Sequence, residues 1–279
     1  MLKYIFGTLA VANAFCYWAL WSRMGGTQGL EVHFLSVGQG DAQFIESPAG
    51  NVLIDGGPSK RVVHEIDKFL DYPDRTIDVV LMTHPNRDHI KGFVDVLKRY
   101  DVRLFVMTGV RYDTLPEYQE ILALIREKRI PVLYGQRGQE IRFGGPTLQI
   151  LWPAEVLRDR AYPREKLNDT SIVAKLSGGD FDVLFTGDIS AAVERTLADS
   201  VGDIEVLKVA HHGSKYSSDA NFLRATRPEI AVIGVGKNSY GHPTQEALSR
   251  LAAIGARAFR TDLEGSFTVT VQNFKGLLQ

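Results

Sequence analysis

Cysteine is nearly missing from this 279-residue chain. Cys16 stands alone, which excludes an intrachain disulfide and a zinc site built from clustered cysteines. A dominant charge is missing as well: 32 basic residues face 33 acidic ones, for a formal charge of -1. That balance excludes a protein that coats nucleic acid by bulk charge, and equally a disordered acidic one. Any polyanion would have to be met by a local patch. No short repeat period recurs along the chain, and no run combines basic residues with interleaved aromatics into a single-strand platform. What the chain does hold is 44% hydrophobic residues, enough to bury a large core in one big α/β domain or two small ones.

One long uncharged run stands at the start. Residues 4–21 carry no formal charge, are rich in Ile, Phe, Leu, Val, Ala and Trp, and match the length of a bilayer-crossing helix. Lys3 and Arg23 bracket the run, and Tyr17, Trp18 and Trp21 gather near one end as interfacial aromatics do. We read residues 1–23 as an uncleaved N-terminal transmembrane helix. A secretory signal with a small-x-small site at Ala12-Asn13-Ala14 and a hydrophobic packing helix are the competing readings. One basic residue at each end leaves the orientation open. Residues 24–29, rich in glycine, read as a linker, and the folded domain as residues 30–279.

Within that domain, β-favouring runs at 31–35, 42–46 and 51–54 suggest an antiparallel opening. Apolar residues at helical spacing follow over 61–70, then a buried strand over 79–83 and a helix over 92–100. Further strands are expected at 103–107, 148–151, 171–176, 183–186, 205–210, 230–235 and 266–271, with helices at 116–128, 191–200 and 244–254. Helices interleaved with short strands in both halves fit two sheets between helix layers.

Metal-ligand chemistry is suggested by donors released at strand ends. Histidines and carboxylates crowded onto such loops are what a borderline ion such as zinc or manganese takes. Thr83-His84-Pro85-Asn86-Arg87-Asp88-His89, Gly187-Asp188 and His211-His212-Gly213 each follow an apolar run, and Gly241-His242-Pro243 stands just ahead of an expected helix start. For Asp188 alone, a helix N-cap is the competing role. Four such loops point to one convergent site.

In order and content these segments resemble the metallo-β-lactamase superfamily, and within it the ComEC-type hydrolase domains of competence proteins. Phe34 to Ala42, Leu53 to Gly57, His84 to His89, Phe185 to Asp188, Lys208 to Ser214 and Asn238 to Pro243 carry the likeness. The resemblance implies a four-layer αββα sandwich. It implies that His84 ligates a first metal, Asp88 and His89 a second, that Asp188 bridges, and that His242 closes the set. His211 or His212 matches the histidine that contacts the scissile phosphate or protonates the leaving group, with Asp88 also catalytic. Asn86 stands at the ligand position of the usual second histidine, and residues 167–171 replace the third. One or two ions, zinc or manganese, are therefore expected, with the first site the poorer. Asp41 is read as orienting a histidine or stabilising its turn, and Arg87, Lys215 and Lys237 as possible phosphate contacts. His33 and His64 are read as structural or surface residues.

The resulting expectation is a membrane-anchored phosphodiesterase acting on DNA, outside the cytoplasm, with a DNA-uptake channel as partner. Hydrolysis of another phosphoester or small ester is the second reading. A non-catalytic binding module, left by depletion of the first metal site, is the third.

Overall fold

The computed structural model describes residues 29–70, 75–143 and 145–270. The membrane helix expected over 1–23 and all but the last residue of the linker lie outside them. Among the described residues, no helix is long and apolar enough to cross a membrane.

The chain opens with β1 (Glu31–Phe34), β2 (Gln43–Ser47) and β3 (Gly50–Ile54), paired antiparallel in succession. Then come α1 (Arg61–Ile66), β4 (Thr76–Leu81), the single turn α2 (Arg87–Ile90), α3 (Phe93–Arg99), β5 (Asp101–Met107), α4 (Pro116–Glu127) and β6 (Val132–Tyr134). From β3 to β6 neighbouring strands run parallel. The second half repeats this plan. Strands β7 (Glu140–Arg142), β8 (Thr147–Trp152), β9 (Val173–Ser177) and β10 (Asp182–Phe185) are antiparallel. After α5 (Ala191–Val201), β11 (Val206–Lys208), α6 (Ala220–Thr226), β12 (Ile230–Ile233), α7 (Gln245–Ala253) and β13 (Arg257–Arg260), the parallel run is complete. Past the short helix α8 (Thr261–Glu264), β14 (Phe267–Thr270) crosses back to pair with β1. Each sheet has seven strands.

Side-chain alternation along the strands creates the layers. Val52 and Ile54 of β3, Val183 and Phe185 of β10, and Ile230 and Val232 of β12 point between the sheets into one core. Their in-between neighbours point outward: Leu53 packs with Val62, Phe93 and Val96, while Leu184 and Ala231 pack with Val193, Leu197 and Phe222. The result is helix, sheet, sheet, helix, as the sequence led us to expect. Each such fully buried aliphatic or aromatic side chain contributes about 1.5–3 kcal/mol, which holds the strand ends rigidly.

Three strands went unread in the sequence: β6, β7 and β13. All three are sheet edges of three or four residues, too short for periodicity to show. The helix expected over 61–70 stops at Ile66 and turns through Phe69, where main-chain bonds become local. The strand expected over 205–210 ends at Lys208 because Ala210–Gly213 coils into a 3₁₀ turn.

Candidate metal centre

Parallel strands deliver their following loops to one edge, the carboxyl end where open α/β sheets carry ligands. Asp55 follows β3, Thr83 and His84 follow β4, Asp188 follows β10, and His211 and His212 follow β11. The turn α2 presents Asp88 and His89; extended Asn86 starts it, its carbonyl accepting from the His89 N–H at 2.9 Å. Gly187 precedes Asp188 at φ +52, and a Cβ there would meet the Ser171 side chain at 2.7 Å, so only glycine fits the approach. Both His211 and His212 sit in the left-handed region, at φ 51 and 52, which throws the two rings to different sides of the turn.

Three buried histidines are locked by their Nδ1 atoms. Asp55 Oδ2 accepts from His89 Nδ1 at 2.7 Å, and a carboxylate can only accept, so the proton is on Nδ1. The Gly234 carbonyl accepts from His212 Nδ1 at 2.8 Å by the same logic. Thr83 gives its hydroxyl proton to Asp55 at 2.7 Å, so its oxygen accepts from His84 Nδ1 at 3.0 Å. In the neutral rings these bonds put the lone pair on each Nε2. Those lone pairs converge on carboxylates: His89 Nε2 is 3.2 Å from Asp188 Oδ1, and His212 Nε2 is 3.5 Å from Asp188 Oδ2 and 3.3 Å from Asp88 Oδ2. His84 Nε2 is 4.0 Å from Asp188 Oδ2. His84 Nε2, His89 Nε2 and Asp188 Oδ1 are buried with no hydrogen-bond partner among the described residues. Lone pairs facing carboxylates call for a cation, and histidines fixed through Nδ1 by acceptors are how proteins present metal ligands. The donor set fits a divalent ion.

Comparison with known proteins agrees. Residues 35–237, well over half the chain, match the metallo-beta-lactamase superfamily. The chain belongs to this superfamily. ComE operon protein 3 of Bacillus subtilis (strain 168) is 29% identical over 268 residues, 88% of this chain and 34% of its own. Competence protein ComA of Neisseria gonorrhoeae is 29% identical over 236 residues, 82% of this chain and 30% of its own. The chain thus spans about a third of the length of these curated relatives. Among solved structures, the metallo-beta-lactamase fold protein YhfI from Bacillus subtilis superposes with a TM-score of 0.58 at 11% identity, covering 86% of this chain and 99% of its own. At that identity the likeness shows the fold alone.

The superfamily's metal-dependent hydrolase chemistry is thus matched by a buried Asp/His cluster able to hold a divalent metal. Within it the sequence-expected residues divide. His84, Asp88, His89 and Asp188 come together. Asn86 turns elsewhere: its Nδ2 donates to Asn168 Oδ1 at 2.6 Å, and Asn168 Nδ2 stands 3.3 Å from His211 Nε2. An amide chain therefore links Asn86, expected as a ligand, to Asn168 and His211. His242, expected to close the ligand set, instead places its ring 5.5 Å from that of His211 and 5.8 Å from that of Tyr240. His212 stands against Asp88 and Asp188 in its stead. His211 and His242 line the pocket, which has a volume of about 970 Å³, together with Asn86, Asp88, Asp188 and His212.

Charge coupling follows this geometry. Burial opposes ionised Asp188, but His89 and His212 beside it outweigh this and hold its carboxyl far below the usual range. Burial likewise opposes charge on His89, and Asp188 and Asp55 hold its pKa well above the ordinary value, so that without an ion its Nε2 keeps a proton toward Asp188, the place a bound cation would take. Burial, helped by the neighbouring His89, pushes His84 down to about 3, so it is a neutral donor at physiological pH. Burial also lowers His211 and His242.

Two groups escaped the sequence reading. Asp55 was part of a matching segment, yet nothing local showed that it would reach His89. Lys208, on an apolar strand, is buried against Asp41, and its Nζ is 3.8 Å from Asp188 Oδ1. A lysine amid apolar strand residues was the available signal. Arg87 lines the pocket, but its guanidinium is paired with Glu117 at 2.7 Å, and Lys215 lies over the Tyr216 ring at 5.3 Å.

Proposed function

We propose that the protein is a metal-dependent phosphodiesterase that cleaves nucleic acid, with DNA as its substrate, as part of competence-type DNA processing. The observation that carries this reading is the convergence of His84, His89 and His212 Nε2 atoms on Asp188 and Asp88 at the floor of a wide pocket. His89, His212, Asp88 and Asp188 would hold the ion, with His84 beside them. A bound zinc or manganese ion supplies a water of lowered pKa and polarises a phosphoryl oxygen. Asp88 would orient the attacking water, and His211, kept neutral by burial, would take up the proton that this water gives up and pass it to the leaving oxygen, with His242 next to it.

The rim favours a polyanion. Lys91 and Arg164 line the pocket and have no carboxylate partner among the described residues. Tyr240, 72% exposed, offers a ring beside His242 on which a base can stack. The gonococcal relative is named for competence, which supports a role in DNA uptake. A membrane anchor over 1–23, a linker over 24–29 and an extracytoplasmic catalytic domain over 30–279 complete the proposal.

The test is cleavage of labelled single- and double-stranded DNA and of a small chromogenic phosphodiester by the purified chain with zinc or manganese. Metal-dependent DNA cleavage that His89→Ala abolishes supports the reading. Turnover of the small diester without DNA cleavage would select a different phosphoester, and no turnover of either would leave a binding module.

A further inference from the structure

Lys208 is the last residue of β11, 1% exposed and enclosed by apolar strands. Its ammonium forms an ion pair with Asp41 Oδ2, donates to the Gly187 carbonyl at 3.0 Å and stands 3.8 Å from Asp188 Oδ1. Asp41 is held there from the other side: a Cβ on Gly234 would lie 2.0 Å from its Oδ1, so the carboxylate fills the space that glycine leaves. Its Oδ2 is 3.5 Å from His212 Nδ1 and 3.9 Å from His89 Nδ1, behind the rings and away from their free Nε2 atoms. Asp41, His89, Asp188 and His212 nonetheless offer ligand atoms all within 4.8 Å of one another. The Lys208 ammonium is the positive charge that reaches both Asp41 Oδ2 and Asp188 Oδ1.

We infer that Lys208 is a built-in cation that occupies a second cation position and holds Asp41 out of the ligand set, so that the centre takes one divalent ion. This rests on the metal-binding reading above. Asp41 Oδ2, Asp188 Oδ1 and the Gly187 carbonyl surround the ammonium with three oxygens, the donors that manganese or magnesium prefers. Removing the lysine leaves a buried carboxylate uncompensated, which is strongly unfavourable unless another cation enters.

The experiment is metal analysis of the full chain after dialysis against manganese, with electron paramagnetic resonance of the bound ion and a thermal melt to verify folding. Wild type is expected to keep one ion per chain, Lys208→Ala to gain a second, and the double variant with Asp41→Asn to return to one. Asp41→Asn alone should keep the single ion, and it decides the matter if Lys208→Ala does not fold. A folded Lys208→Ala that keeps one ion, a wild type that keeps two, or an Asp41→Asn that loses its ion would each overturn the inference. A wild type that retains none would instead sink the metal-binding reading on which it stands.

Discussion

Asp55 and His89 lie 34 positions apart in sequence, yet Asp55 Oδ2 accepts from His89 Nδ1 at 2.7 Å while the same oxygen accepts from the Thr83 hydroxyl at 2.7 Å. One carboxylate thereby sets the tautomer of His89 directly and that of His84 through Thr83. Both histidines depend on it for the direction of their lone pairs. Asp55→Asn keeps the volume but removes the acceptor-only character. We expect metal affinity to fall by roughly ten- to a hundredfold, the cost usual for such supporting groups. Competition with a chromophoric chelator measures it, and unchanged affinity in a folded variant would contradict the assignment.

Lys91 and Arg164 line the pocket and have no carboxylate partner among the described residues. Lys91→Glu and Arg164→Glu are each expected to raise KM for DNA and to lower the slope of log affinity against log salt by about 1, the signature of a lost phosphate contact. Turnover of a small phosphodiester, which does not reach the rim, should hold. Equal losses on both substrates would mean that these residues act on the centre itself.

Tyr240 is exposed beside His242. If it stacks a base, Tyr240→Ala should weaken DNA binding by about 1–3 kcal/mol and Tyr240→Phe should not. Oligonucleotides with an abasic position provide the readout: the preference for an intact base should vanish in Tyr240→Ala and persist in the phenylalanine variant.

Glu194 lies outside the centre, buried, accepting N–H groups from Ser218 at 2.9 Å and Asp219 at 2.7 Å. Burial pushes its carboxyl up to about 7 from 4.5, against those two bonds. The folded protein therefore binds this proton more tightly than the unfolded chain. Its contribution to stability is full below about pH 4.5 and falls as pH rises toward 7, by about 3 kcal/mol at most. Glu194→Gln should flatten the decline of Tm between pH 5 and 7.5 relative to wild type. Parallel curves for the two proteins would rule out this proton.

Much of the fold was legible because continuous apolar runs mark strands buried on both faces, and interior strands such as those holding Val183 and Ile230 have them. The edges Val132–Tyr134, Glu140–Arg142 and Arg257–Arg260 do not: short and half-exposed, they form where a neighbour presents open backbone groups. In the centre, His84, Asp88, His89 and Asp188 were legible as donors at strand ends. Which of His211, His212 and His242 would join them was not, since the left-handed backbone at His211 and His212 aims two adjacent rings differently.

By itself, then, the sequence determined the layer order, the superfamily resemblance and the supply of nitrogen and oxygen donors at one sheet edge, all consequences of local pattern. Tertiary structure alone decided that His212 meets Asp188, that Asn86 is spent on Asn168, that Asp55 aims His89, and that Lys208 neutralises Asp41. These are contacts between loops tens to more than a hundred residues apart. Their geometry depends on how two packed sheets bring strand ends together, which no local pattern encodes.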